Sequence, residues 1–194
     1  MKLLFATQNP HKIEEIKRLV DGHHELLTLH DLNFEKELPE HSLLLEENAI
    51  EKVNFVYHQF KLNCFSEDTG IEVAALNGAP GALSARYAGE EKNTEKNIEK
   101  LLSDMKTATN RTARFRTVIA LVMEGKEFLF EGVVKGTISF TKKGSAGFGY
   151  DPVFIPEGSD KTFAEMAIEE KSKISHRARA YNKLNEFLNS EFAI

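Results

Sequence analysis

The chain has 194 residues, 41% hydrophobic and 28% charged, which is ordinary for a soluble globular protein and long enough for one good-sized core. Lys and Arg number 25 against 30 Asp and Glu, a formal net charge of -5, so no global positive field exists to hold a nucleic-acid polymer by its phosphates. One cysteine, Cys64, excludes an internal disulfide, and the stretch from Met1 to Thr7 turns polar too soon for a signal peptide or a membrane span, so a cytoplasmic address is expected.

Lys2 to Thr7 reads as a buried first strand. Asn9-Pro10 then starts a helix, with Asn9 as N-cap and Pro10 at the first helical position, and Ile13, Ile16, Leu19 and Val20 form its apolar face up to a stop at Asp21-Gly22. Thr7, Asn9 and Lys12 share the turn with free backbone N–H groups, a combination that suits a phosphate and also occurs in many α/β proteins. Glu25 to Leu29 is a second strand, and the acidic stretch from His30 to His41, with Glu35, Glu37 and Glu40, is irregular. Ser42 can cap a long helix whose buried stripe is Leu45, Ala49, Val53, Val56 and Phe60. Asn48 and Lys52 lie an i,i+4 step apart on a neighbouring face, where Lys52 is either solvated or functional.

The run from Cys64 to Val73 stops an apolar segment at two adjacent carboxylates, Glu67 and Asp68, followed by Thr69 and Gly70. Either a buried strand delivers acids to a cleft, where they need a cation to share, or a solvated Asp-Thr-Gly turn closes a hairpin. Asn77 to Gly81 is a turn, Arg86 stands beside Tyr87, and Asn93 or Thr94 opens a helix with Ile98, Leu101, Leu102 and Met105 inward. Residues 113–122 and 128–138 form a long hairpin across Glu124-Gly125-Lys126. Lys142 to Gly149 is glycine-rich and leads through Phe148-Gly149-Tyr150-Asp151-Pro152 to a strand at Val153-Phe154-Ile155. The rings of Phe148 and Tyr150 either stack on a base or close the core. Glu169 to Arg177 is a basic, polar segment before a last helix carrying Ala180, Leu184 and Leu188 inward. Ser175 is its N-cap, so His176 and Arg177 stand in the first turn, where the macrodipole disfavours cations; the placement hints at an anion, against a plain surface pair. No fixed-period repeat or linker divides the chain, so a single domain over 1–194 is expected.

Five motifs occur in order: Thr7-Gln8-Asn9-Pro10-His11-Lys12; Glu67-Asp68-Thr69-Gly70; Gly78-Ala79-Pro80-Gly81 with Ser84-Ala85-Arg86-Tyr87; Phe148-Gly149-Tyr150-Asp151-Pro152; and Lys171 with Ser175-His176-Arg177. Together they resemble the inosine triphosphate pyrophosphatase family, the XTP/dITP diphosphatases, over the whole chain. The resemblance implies an α/β fold, an elongated mixed β-sheet with flanking helices forming two lobes around a substrate cleft. It implies hydrolysis of ITP, dITP or XTP to the monophosphate and pyrophosphate, with magnesium as cofactor and a homodimer as the assembly.

By matching position, the resemblance makes Thr7, Gln8, Asn9, Pro10, His11 and Lys12 the triphosphate loop. Asp68 becomes the catalytic proton acceptor and a metal ligand with Glu40, Lys52 a phosphate contact, and Thr69 a nucleotide contact. Phe148, Gly149, Tyr150 and Asp151 become the base-binding segment, and Lys171, His176 and Arg177 the readers of a 6-oxo edge. Donors suit that edge, because the 6-amino group of adenine would set donor against donor. The chain departs from the family pattern at Gln8, where glycine is usual, at Asn77, Ala82 and Leu83, and at His41-Ser42, where Thr-Gly is frequent; none removes a charged catalytic group. The alternatives are a Maf-type nucleotide pyrophosphatase and a nucleotide-binding protein without turnover.

Overall fold

A computed structural model describes residues 1–20 and 24–191; the expected helix stop at Asp21-Gly22 lies outside them. The strands are β1 (Lys2–Phe5), β2 (Glu25–Thr28), β3 (Cys64–Val73), β4 (Pro80–Gly81), β5 (Thr112–Met123), β6 (Lys126–Ile138) and β7 (Phe154–Pro156). The helices are α1 (Pro10–Lys17), α2 (Leu45–Phe60), α3 (Thr94–Asp104), α4 (Ile168–Ile174) and α5 (His176–Glu191). Hydrogen-bonded neighbours run β2-β1-β3-β5-β6-β7, with β4 on β3. β1 is parallel to β2 and β3, whereas β3–β4 and β6–β7 are antiparallel, so the sheet is mixed and the α/β expectation is borne out. No described helix is long and apolar enough to cross a membrane.

The chain divides into two compact units. The first comprises Met1–Asp68, Thr117–Gly132 and the chain from Arg177 on. Its core gathers Leu3, Phe5, Ile16, Phe65, Ile119, Leu121, Met123, Ala180, Tyr181, Leu184 and Leu188, with Phe5 stacked on Phe65 at 4.5 Å. β1 is central here and its Leu3, Leu4 and Phe5 are all buried, the signature of a parallel strand covered on both faces. α1 is shorter than its apolar spacing suggests. It ends at Lys17, and Leu19 and Val20 follow in a turn whose N–H groups both donate to the Ile16 carbonyl.

α2 begins at Leu45, so Ser42 is not its cap. Asn48 holds the Ser42 backbone through both its amide groups: Ser42 N donates to Asn48 Oδ1 at 2.8 Å and Asn48 Nδ2 donates to the Ser42 carbonyl at 3.0 Å. The strap before the helix therefore stays extended at Leu44, and the Ser42 hydroxyl accepts from Leu44 N instead. Leu45, Ala49, Val53 and Val56 are buried as the stripe predicts, while Phe60 is half-buried.

The second unit comprises Thr69–Arg116 and Val133–His176. Its core includes Ile71, Val73, Ile98, Leu101, Met105, Phe115, Val134, Ile138, Tyr150, Phe154 and Phe163. Asn93 caps α3, accepting from Lys96 N at 3.0 Å. Val153 does not join a strand: Pro152 is the middle residue of a single 3-10 turn over Asp151–Val153, and β7 begins at Phe154. α4, unforeseen in the polar run before Ser175, has Glu169 and Glu170 in its first turn and Lys171 and Lys173 in its last, the charge order that complements a helix dipole. The β5–β6 connection belongs to the first unit and turns at Glu124 (φ 50) and Gly125 (φ 79), the left-handed pair of a two-residue hairpin.

Gly70 is where this framework tolerates least. A Cβ there would stand 2.7 Å from the Gly81 carbonyl carbon and closer still to its oxygen, in the β3–β4 ladder. Gly70→Ala is expected to lower unfolding stability by about 1–3 kcal/mol. Urea denaturation with an unchanged m-value checks this, and an unshifted midpoint would mean that the ladder yields freely.

Candidate active site

In the first unit, β1 runs into Thr7–Asn9 and then α1. Asn9 is the N-cap: its Oδ1 accepts from His11 N at 3.0 Å and Lys12 N at 3.4 Å, while its own N–H donates to Thr7 Oγ1 at 3.2 Å. Two N–H groups at this helix start are thus satisfied by Asn9 itself. Gln8 is exposed, with Nε2 donating to the Lys36 carbonyl at 3.0 Å, and His11 is exposed beside Pro10 at the start of α1.

Glu67 and Asp68 lie inside β3, so the solvated-turn alternative is overturned. Successive strand side chains point to opposite faces, and the two acids have separate partners rather than a shared cation. Glu67 is fully buried, accepting from Arg177 Nε at 2.8 Å and Nη2 at 2.7 Å and pairing with Lys12 Nζ at 3.1 Å. Arg177, 1% exposed, also pairs through Nη1 with Glu15. Burial alone would push the Glu67 carboxyl up, but Arg177 and Lys12 outweigh it and hold it well below the usual carboxylate range. Burial opposes the Arg177 charge too, and Glu67 and Glu15 reverse that, so the guanidinium stays ionised. The anion foreshadowed by the cationic first turn of α5 is, within the chain, this glutamate pair.

Asp68 is 7% exposed and held at both oxygens: Lys52 Nζ donates to Oδ1 at 3.0 Å and Asn48 Nδ2 to Oδ2 at 3.1 Å. Lys52 is 3% exposed, which removes its solvated alternative, and it also reaches Glu40 Oε1 at 2.6 Å. Burial works against its charge, but Asp68 and Glu40 prevail and raise its pKa. Cys64 is no nucleophile, since burial pushes its thiol up to about 12.

The described residues contain no group of three or more His, Cys, Asp or Glu able to hold a metal ion. Glu40 and Asp68 nevertheless turn one oxygen each to a single positive centre, the Lys52 ammonium. Two hard carboxylates with further sites left to water and phosphate form the donor set that Mg²⁺ accepts.

In the second unit, Asp151 Oδ2 accepts from Lys171 Nζ at 2.5 Å and from Phe148 N at 2.9 Å. Lys171, 4% exposed, has its ammonium 5.2 Å from the Phe148 ring centre. Gly147 (φ 73) and Gly149 (φ 61) adopt the left-handed conformation that this tight loop requires. The two aromatic alternatives divide between the two rings. Tyr150 closes the core, its hydroxyl donating to the Ser84 carbonyl at 2.8 Å, while Phe148 is half-exposed. His176 is buried and stacked on Phe115 at 4.5 Å, and Thr69 is half-buried. Arg86 lies 3.7 Å from exposed Glu90.

A model of the Ham1 family matches residues 3–187. The chain belongs to the Ham1 family. The resemblance seen in its motifs is thereby borne out over nearly the whole length. The dITP/XTP pyrophosphatase of Christiangramia forsetii is 53% identical over 188 residues, 97% of this chain and 99% of that protein. That of Porphyromonas gingivalis is 48% identical over 188 residues, 96% of this chain and 97% of that protein. The solved Ham1 protein of Staphylococcus aureus superposes with a TM-score of 0.89 at 38% identity, covering 98% of this chain and 100% of that one.

Glu15 is a member of this Ham1 site region that sequence reasoning passed over, and Asn48 is one that it placed beside Lys52 without a role. Glu15 is one of two adjacent acids in the helix sequence, and only its three-residue step from Lys12 hints that it shares a face with a functional cation. Asn48 had a better signal, four residues before Lys52 on a helix beside the buried stripe.

Because the folded Glu67 value is depressed, the stability it adds is complete above the unfolded glutamate value of about 4.3 and is lost as pH falls from there towards the folded value. Melting temperature is therefore expected to fall between about pH 5 and pH 3. Glu67→Gln, which leaves Arg177 and Lys12 underneutralised, is expected to cost about 3–5 kcal/mol at pH 7 and to flatten that acid slope. Equal acid slopes for both proteins would remove Glu67 from the linkage.

Proposed function

We propose that the chain hydrolyses non-standard purine nucleoside triphosphates, dITP, XTP and ITP, to the monophosphate and pyrophosphate. The observation that carries this reading is the buried Asp68, fixed at both oxygens and joined through Lys52 to Glu40, in a chain whose full-length relatives are named dITP/XTP pyrophosphatases.

Asp68 takes the proton from the attacking water as its oxygen bonds to the α-phosphorus. The bond from that phosphorus to the bridging oxygen breaks, and the electron pair leaves with pyrophosphate. Lys12 and Lys52 offset the charge of the leaving group, and Thr7 to His11 line the phosphate loop. Glu40 and Asp68 would hold Mg²⁺, which, when bound, neutralises phosphate oxygens and polarises the phosphorus.

Phe148 offers its ring to the base, Gly149 to Asp151 and Thr69 shape the contact, and Lys171 donates to the 6-oxo group. His176 and Arg177 read the same edge in this proposal. Arg177 also neutralises Glu67 and Glu15, so replacing it mixes recognition with folding. Phe148 and Lys171 are the cleaner positions. On the family resemblance, the working form is a cytoplasmic homodimer acting on free nucleotides.

Pyrophosphate release from ITP, dITP and XTP is expected to need Mg²⁺ and to exceed release from ATP and GTP. Metal-dependent release with no preference would leave the reaction and remove the specificity. Asp68→Asn should lower kcat at least about a hundredfold while nucleotide binding persists. Joint loss of both would make Asp68 structural, and binding without any turnover in the unaltered protein would favour the non-hydrolytic alternative. Phe148→Ala should raise KM by about 5- to 150-fold, the effect of losing about 1–3 kcal/mol of base stacking. An unchanged KM would place the base elsewhere.

A further inference from the structure

A lysine ammonium is strongly hydrated, and its burial has to be matched by anions. Lys52 meets that condition on α2, with Glu40 Oε1 at 2.6 Å and Asp68 Oδ1 at 3.0 Å from Nζ. These are also the two carboxylates assigned to the cation in the proposed function, and this inference rests on that assignment. Magnesium–oxygen distances are about 2.0–2.1 Å. A divalent ion taking these same two oxygens would therefore lie within about 5 Å of the ammonium, and two positive centres that close repel. The two cations compete for the same oxygen pair.

Asn48 decides what happens to the acids when the ammonium moves. It donates to the other Asp68 oxygen, Oδ2, and clamps both backbone groups of Ser42, two residues after Glu40. Asp68 and the strap that carries Glu40 are thus secured without Lys52, while Lys52 itself sits on four rotatable methylenes. The frame is fixed and its occupant is mobile.

We propose that Lys52 is a tethered stand-in for the divalent cation. In the nucleotide-free protein its ammonium closes the Glu40–Asp68 pair against free metal ions, and it yields the position only when a triphosphate supplies the ammonium with a new anionic partner. Metal is then admitted with nucleotide rather than ahead of it. The apparent affinity for metal alone is lowered by the small fraction of molecules in which the lysine has left.

The test is Mn²⁺ binding to nucleotide-free protein, followed by electron paramagnetic resonance, for the unaltered chain and Lys52→Met, which keeps the stem and removes the charge. Lys52→Met should bind Mn²⁺ at least about tenfold more tightly. It should melt below the unaltered protein in EDTA and gain more in melting temperature from the ion. The gain should vanish in Lys52→Met/Asp68→Asn. Equal Mn²⁺ affinity in Lys52→Met and the unaltered protein would overturn the proposal.

Should Lys52→Met fail to fold, the ¹⁵Nζ resonance of Lys52 in the unaltered protein gives the answer. It should hold its position on addition of Mg²⁺ alone and shift when an α,β-methylene triphosphate analogue joins the metal. A full shift with Mg²⁺ alone would overturn the proposal. Mg²⁺-dependent pyrophosphate release combined with no gain in Lys52→Met sinks the stand-in role and leaves the proposed function intact. Release that ignores EDTA sinks the cation assignment and this inference with it.

Discussion

Arg177 cannot shed its proton, so placing it at 1% exposure obliges the fold to bring anions to it. Glu67 from β3 and Glu15 from α1 meet that obligation, and Lys12 balances the remaining charge on Glu67. Two cations and two anions thus close on one another inside the first unit. Lys12 and Glu15 are three residues apart on α1, so one face of that helix is committed to this cluster from its first turn. The start of α1, where Asn9 caps and Thr7 receives the Asn9 N–H, is held in place by interactions that begin on α5. A loop well suited to phosphate is in this way anchored by charges that are themselves kept from solvent.

The pleat of β3 explains how two adjacent acids can do different work. Glu67 is spent on neutralising Arg177 and Lys12, while Asp68 emerges on the other face with Asn48 and Lys52. Had the pair faced one way, each carboxylate would have raised the other's pKa, and one proton would have been shared between them. Strand geometry instead sends the two carboxylates to opposite faces of β3. It also lets α2 supply a neutral donor and a cation to the two oxygens of one carboxylate from positions one helical turn apart.

Local chemistry was legible wherever a residue's role follows from its own neighbours in the chain. Asn9 as a cap, Asn93 as a cap, the Glu124-Gly125 turn and the stripe of α2 all emerge from spacing and backbone preference. The family came from five short motifs in order, and the α/β class came with that resemblance. What stayed hidden depends on contacts across long sequence separations. Glu67 and Arg177 are 110 residues apart, and no periodicity announces that a cation in a helix's first turn will find its counter-ion on a distant strand. Ser42 failed as a cap for a similar reason, because an asparagine six residues on captured its backbone. α4 was missed since the residues between its terminal isoleucines, Glu169 to Lys173, are all polar and carry no stripe, although its charge order was there to be read.

Cys64 opens β3 only four residues before Asp68, yet its thiol is buried and turned to the Val53 carbonyl at 3.6 Å. It is the one sulfhydryl in the chain, so no residue of the proposed machinery takes part in thiol–disulfide exchange. Phosphoryl chemistry here is insulated from redox chemistry by the same packing that builds the strand. A cysteine introduced elsewhere on the surface would carry a spectroscopic label alone, with the native thiol silent beneath it.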